Sequence, residues 1–179
     1  QGYAVPPPEC LDKMQGERPG FVPGGAQRAD SVRAGVNALP ADATVILVHD
    51  AARPFVSRGT IDAVIARARA GVGAVAAVPS SDTLKEVGTS AQLTPRVART
   101  VDRDRIWRAQ TPQGFPRSML MSAYSQLRAN GGGGSPGDDA EVCERAGYPV
   151  ELIPDSPYNF KITTADDFRI AEALARELR

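Results

Sequence analysis

Short apolar runs alternate along this chain with stretches whose apolar residues recur at helical spacing. "VILV" at 45–48 and "GAVAAV" at 73–78 are apolar throughout, the pattern of strands covered on both faces. Between them Ile61, Val64, Ile65 and Ala68 fall at i, i+3, i+4 and i+7, and the stretch closes on Gly71. This spacing predicts a helix that joins the two strands in a crossover unit. Leu120, Ala123, Tyr124 and Leu127 repeat it before "NGGGGSPG" at 130–137 interrupts the pattern as a flexible loop. "VELIP" at 150–154 predicts another strand. In "TTADDFRIAEALARELR", Thr164 is placed to cap a final helix with Asp167 three residues on. Phe168, Ala171, Ala175 and Leu178 form the stripe that this helix is expected to bury. Strands alternating with helices predict an α/β fold with a largely parallel sheet.

A chain of 179 residues with 42% hydrophobic content can bury one core of ordinary size, so residues 1–179 are expected to form a single domain. Twenty-one basic side chains balance twenty-one acidic ones. No bulk field recruits nucleic acid or a membrane surface, and any anionic ligand must be met locally. Cys10 and Cys143 are far apart and match no metal or redox spacing, the usage of reduced thiols in a cytosolic protein. No apolar run approaches the roughly 20 residues of a membrane span, and the first residues form no basic-then-apolar signal. A cytoplasmic location is expected. The sequence starts at Gln1 rather than Met, as a fragment or a processed product would.

In α/β sheets ligands sit beyond the carboxyl ends of the strands. "VILVHDAARPFVS" at 45–57 places His49, Asp50 and Arg53 at such an end. Taken alone, Asp50 is also compatible with a turn cap and Arg53 with a solvated surface base. "RTVDRDRIWRAQTPQGFPRSML" at 99–120 is rich in arginine and carries Thr111, Gln113 and Gly114 ahead of a helix, with Pro112 holding the turn. Its guanidinium groups suit phosphate, to which they donate parallel hydrogen bonds. Lys161 lies just before the capped start of the last helix, where backbone N–H groups favour an anion; a snorkelling surface lysine is the other reading. "SDTLKEVGTSAQLTPRVARTVDR" sets Leu84, Val87, Leu93 and Val97 among charges. That pattern predicts an extended hairpin with one face covered, either by a partner subunit or by its own domain.

"GGAQRADSV", "VILVHDAARPFVS", "SDTLKEV", "RTVDRDRIWRAQTPQGF", "DDAEV" and "SPYNFKITTADDF" follow one another in this chain. In that order they resemble the 2-C-methyl-D-erythritol 4-phosphate cytidylyltransferases, from about residue 20 to the end; six ordered motifs are far more specific than any one. The resemblance implies a Rossmann-like nucleotidyltransferase sheet with helices on both faces and an extended β-arm. It implies an enzyme that makes CDP-methylerythritol and pyrophosphate from CTP and methylerythritol phosphate in isoprenoid synthesis, with Mg²⁺, as a homodimer. Carried onto this sequence, it has Asp50 holding a hydroxyl of substrate or ribose near Mg²⁺ and Arg53 facing the methylerythritol phosphate, with His49 supporting the turn. Residues 82–103 become a dimerisation arm whose Thr83 and Arg103 complete the partner's site. Thr111 becomes a substrate contact, Arg103 and Lys161 the catalytic cations, and Gly24, Gly25 and Ser31 the cytidine contacts.

The implied chemistry suits these residue types. A phosphate monoester with a second pKa about 6 is mostly dianionic near neutral pH, so the attacking group needs no strong base. The obstacle is charge, which positioned Arg, Lys and Mg²⁺ relieve without covalent catalysis. A single histidine with no paired nucleophile fits that scheme and not a Ser-His-Asp hydrolase. One departure stands out: the family's opening strand, Gly-rich loop and helix-strand pair, on the order of fifty residues, have no match here. Two alternatives therefore accompany the enzyme reading, a truncated non-catalytic domain of the same fold and a pentitol-phosphate cytidylyltransferase.

Overall fold

The computed structural model describes residues 20–88, 94–129 and 135–178. Helix α1 (Arg28–Ala38) precedes β1 (Val45–Val48), α2 (Arg58–Arg69) and β2 (Gly73–Pro79). The two strands fall on the two apolar runs, and α2 is the helix predicted between them. Ser57 Oγ accepts from the Thr60 backbone N–H to start α2. Gly71, at a φ of 89°, follows its end in a left-handed conformation open to glycine at little steric cost. A hairpin of β3 (Lys85–Val87) against β4 (Val97–Thr100) comes next, within the predicted arm. A 3₁₀ turn at Arg103–Arg105 leads to β5 (Trp107–Pro116), and α3 (Arg117–Ala129), α4 (Asp139–Arg145), β6 (Val150–Pro154) and α5 (Ala165–Glu177) complete the order.

Four strands pair in the order β1-β5-β2-β6. The α/β architecture is as expected, and β1, β2 and β6 share one direction. β5 runs against them: Leu47 of β1 opposes Gly114 and Val75 of β2 opposes Gln113 in antiparallel pairs, while Val75 and Leu152 of β6 pair in parallel. The crossover through α2 therefore spans one intervening strand. The sequence pattern hid that strand, because "WRAQTPQGFP" is polar and carries a proline. Pro112 does not hold a turn before a helix. It lies within β5 where the register against β2 shifts between Val75 and Ala77, the kind of irregularity that tolerates a residue without an N–H.

Gly73–Val78 of β2 are all buried, because helices cover both faces of the sheet. On one face α2 approaches β5 so closely that a Cβ on Gly114 would lie 2.4 Å from Val64 Cγ1. Only glycine permits that contact. Phe115, the next residue and so on the opposite face, enters the main core with Val36, Ile46, Val75, Leu120, Ala123, Tyr124, Val142 and Cys143. Leu127 packs half-buried against it, so the predicted stripe of α3 is the face that α3 buries. The α5 stripe is not: Ala171 is buried and Ala175 half-buried, but Phe168 and Leu178 are 56% and 66% exposed. Spacing identifies an apolar face, but not whether another layer covers it. In β1, an edge strand here, Ile46 is buried and Val45, Leu47 and Val48 are half-buried.

Cys143 is a buried, uncrosslinked thiol whose pKa burial pushes up to about 12. Cys10, Leu93 and residues 130–134 of the predicted loop lie outside the described residues. Among the described residues no helix is long and apolar enough to cross a membrane.

Candidate functional site

Where β1 ends, the chain turns so that the Arg53 N–H donates to the Asp50 carbonyl at 2.9 Å. The neighbouring strand β5 fixes this turn from the side. Thr111 Oγ1 accepts from the Asp50 N–H at 2.9 Å and lies 3.0 Å from His49 Nδ1, while His49 Nε2 lies 3.1 Å from the Arg53 carbonyl. A carbonyl only accepts, so Nε2 carries the proton, and in a neutral ring Nδ1 accepts from the threonine hydroxyl. His49 thus braces the turn, as expected. Thr111 is buried with its hydroxyl engaged in the same brace.

A third segment, between β6 and α5, closes onto the turn through the Ile162 N–H, which donates to the Ala52 carbonyl at 2.9 Å. It brings Lys161 Nζ to 3.1 Å from Asp50 Oδ2, an oxygen that Arg53 Nε approaches at 3.5 Å. That second approach is an ion-pair distance and not a hydrogen bond, and Arg53 Nε has no hydrogen-bond partner among the described residues. Arg53 instead donates from NH1 to the Asn159 carbonyl at 2.9 Å. Partial burial works to raise the Asp50 pKa, but the hydrogen bond and charge of Lys161, then the charges of Arg53 and Arg28, outweigh it and hold the carboxyl below its usual value. Asp50 is therefore ionised at neutral pH with two cations beside it. The cluster carries net positive charge and can receive an anion.

The start of α5 does not add to it. Asp167 Oδ2 accepts from the Thr163 and Thr164 N–H groups and the Thr163 hydroxyl, and the Thr164 side chain accepts from the Asp167 N–H, a complete capping box. The backbone donors expected to meet a ligand already serve the protein's own carboxylate.

Gly24 and Gly25 lead into α1, where the Gly25 N–H donates to Ser31 Oγ at 3.0 Å. A Cβ on Gly25 would lie 2.2 Å from the Asp30 Cβ, so this tight entry requires glycine. Arg28, on the first turn of α1, pairs at 2.5 Å with the fully buried Asp139 of α4, which also accepts from the Tyr124 hydroxyl. The Arg28 charge is the smallest of those that help hold the Asp50 carboxyl below its usual value. Gln113 belongs to the scaffold: its Oε1 accepts from the Asp139 and Ala140 N–H groups, and its Nε2 donates to Asp138.

Thr83 and Arg103 flank the hairpin. Both are exposed at the base of the hairpin, and Arg103 NH1 donates to the Ser81 carbonyl at 2.8 Å. Among the described residues no hydrogen bond or ion pair joins either one to Asp50, Arg53 or Lys161. Of the other arginines in that stretch, Arg99 pairs with Glu86 at 2.6 Å, and Arg117 donates to the Val36 and Pro40 carbonyls.

Sequence reasoning missed Arg28, Asn159, Gln110 and Asp155. Arg28, Gln110 and Asn159 lie inside motifs quoted above, but none has a spacing that marks it. Among the described residues no group of three or more His, Cys, Asp or Glu side chains is placed to share a metal ion. Mg²⁺ is commonly held by one or two carboxylates together with phosphates of the substrate. Asp50 is the carboxylate that this cluster offers to such an ion, with its Oδ2 already facing Lys161 and Arg53.

A family model described as 2-C-methyl-D-erythritol 4-phosphate cytidylyltransferase matches residues 9–177. The chain is 48% identical over 153 residues to a bifunctional IspD/IspF enzyme of Anaeromyxobacter dehalogenans, covering 86% of this chain and 38% of that protein. It is 42% identical over 158 residues to a 2-C-methyl-D-erythritol 4-phosphate cytidylyltransferase of Syntrophus aciditrophicus, covering 88% and 65%. The chain thus spans about two-thirds or less of the length of these curated relatives. The crystal structure of the Thermus thermophilus cytidylyltransferase of that name superposes with a TM-score of 0.79 at 38% identity, over 97% of this chain and 77% of that one. A 4-diphosphocytidyl-2C-methyl-D-erythritol synthase from Anaerococcus prevotii superposes with a TM-score of 0.83 at 25% identity, over 97% and 80%.

Proposed function

Because this chain belongs to the 2-C-methyl-D-erythritol 4-phosphate cytidylyltransferase family, we propose that its protein transfers the cytidylyl group of CTP to 2-C-methyl-D-erythritol 4-phosphate. The products are CDP-methylerythritol and pyrophosphate, in isoprenoid synthesis. The observation that supports this most directly is the convergence on Asp50 of Arg53, Thr111 and Lys161, from three separate segments.

An oxygen of the acceptor phosphate attacks the α-phosphorus of CTP. The new P–O bond forms as the bond to the bridging oxygen breaks, and pyrophosphate leaves with that electron pair. The acceptor is already dianionic near neutral pH, so the residues manage charge and alignment instead of removing a proton. Lys161 meets the reacting phosphates, where a positioned cation stabilises developing charge. Arg53, held by the Asn159 carbonyl, faces the methylerythritol phosphate. Asp50, kept ionised by its cations, accepts from a hydroxyl of substrate or ribose, and Thr111 serves the substrate through the turn that it braces. Gly24, Gly25 and Ser31 contact the cytidine. Mg²⁺, with Asp50 as its protein ligand, neutralises phosphate charge when bound.

We place the enzyme in the cytoplasm as a homodimer of single-domain subunits, with residues 82–103 as the dimerisation arm. Val87 and Val97 on the hairpin are 55% and 60% exposed, which supports a covering partner, and Thr83 and Arg103 would complete the partner's site as substrate contact and catalytic cation. The full protein with CTP, Mg²⁺ and methylerythritol phosphate is expected to release pyrophosphate, faster than with a pentitol phosphate as acceptor. No release with either acceptor overturns the reading, and preference for the pentitol phosphate reassigns the substrate.

A further inference from the structure

Asn159 joins the three segments that meet at Asp50. It is fully buried. Its Nδ2 donates to the Thr111 carbonyl at 2.8 Å and to Asp155 Oδ2 at 2.7 Å. Its own carbonyl accepts from Arg53 NH1 at 2.9 Å and from Gln110 Nε2 at 3.0 Å. Asp155 is tied in turn to the start of α2 through the Thr60 hydroxyl at 2.6 Å, and Lys161 lies two residues beyond Asn159. Asn159 Oδ1 is buried with no hydrogen-bond partner among the described residues, as are Gln110 Oε1 and Arg53 Nε. A buried unpaired carbonyl oxygen costs stability, so packing alone would favour an apolar residue of similar volume at this position. The two N–H donors account for the asparagine.

We propose that Asn159 is a positioning residue for the acceptor-phosphate site. Its amide pins the 155–161 segment to Thr111 of β5 and to Asp155. The carbonyl of Asn159 is thereby fixed where it can hold the Arg53 guanidinium. The identity of the anion rests on the cytidylyl transfer proposed above; the placement of Arg53 does not.

Two variants of the full protein separate positioning from a structural tie. In Asn159→Asp, a carboxylate faces Asp155 and the Thr111 carbonyl and donates to neither. In the exchange variant Asp155→Asn/Asn159→Asp, residue 155 supplies the N–H and residue 159 the acceptor, which restores their mutual hydrogen bond while the Thr111 carbonyl stays without its donor. Asn159→Asp is expected to lower Tm and to raise KM for methylerythritol phosphate by about tenfold or more, since misplacing a binding group by about an ångström is enough for that. The exchange variant is expected to regain most of the Tm but not the KM. Recovery of both together overturns the inference and leaves Asn159 a structural tie.

Hydrogen exchange of the Arg53 Nε–H, followed by NMR, gives a readout independent of turnover. It is expected to speed up by about tenfold in both variants as the guanidinium is released. Unchanged exchange overturns the inference whatever the kinetics. Wild-type protein that shows slow Arg53 exchange, released in the variants, and yet transfers no cytidylyl group overturns the functional reading alone.

Discussion

At the scale of single residues, the balance around Asp50 decides what the site can do. One half-buried carboxylate is met by Lys161 and Arg53, and its depressed pKa leaves it charged across the neutral range. Lys161 itself is exposed. Lys161→Ala is therefore expected to lower kcat by about 10²–10³, the effect of removing one preorganised stabiliser, while stability changes by no more than about 1 kcal/mol, as for surface ion pairs. Steady-state kinetics and urea denaturation on the same protein check both parts; wild-type kcat would remove Lys161 from the chemistry. Asp50, Arg53 and Lys161 were legible in the sequence because charged residues beside apolar runs stand out. Asn159 and Gln110 were not, since a buried amide looks like any polar residue until its partners, far away in sequence, are in place.

At the scale of elements, the helix α5 shows how far local chemistry reaches. Its capping box was readable from "TTADDF" because every atom involved lies within five residues. The Thr163 backbone N–H, the Thr163 hydroxyl and the Thr164 N–H, in that order, lower the Asp167 pKa from 3.8 to about 2. A depressed folded-state pKa means that the contribution is complete above the unfolded value and is lost as pH falls through the folded one. Asp167→Asn should consequently destabilise the protein at pH 7, and the difference from wild type should shrink between about pH 4 and pH 2. Urea unfolding followed by circular dichroism at several pH values checks this. A difference that stays constant over that range would assign the cap to Thr164 alone. The exposed stripe of the same helix, and the misread strand β5, depended on what lies across from them. Thr111, Gln113 and the Nε2 of Gln110 can sit in a central strand because they find partners in Asp50, Asn159 and the start of α4.

At the scale of the whole molecule, the hairpin is an element that the fold leaves uncovered. Its strands have all-exposed side chains, and among the described residues no hydrogen bond or ion pair joins Thr83 or Arg103 to the Asp50 cluster. In a two-fold dimer each arm meets the same surface on the other subunit. Arg103→Ala and Arg53→Ala, each expected to be inactive alone, should partly restore activity when mixed, because one of the two sites in a mixed dimer then carries both arginines. A mixture that exchanges subunits and stays inactive would show that each chain builds its own site.

By itself the sequence determined the helices α2, α3 and α5, the strands β1, β2 and β6, the cap at Thr164, and the charged residues at the end of β1, because periodicity, capping and turn chemistry act over a few neighbouring residues. Only the tertiary structure decided that β5 lies between β1 and β2, that Lys161 reaches Asp50, that Asn159 holds Arg53 and Thr111 together, and that α5 leaves Phe168 and Leu178 uncovered. Each of these is a contact between segments remote in sequence, or the lack of one, fixed by which surfaces can close over one another and which buried polar atoms can find partners there.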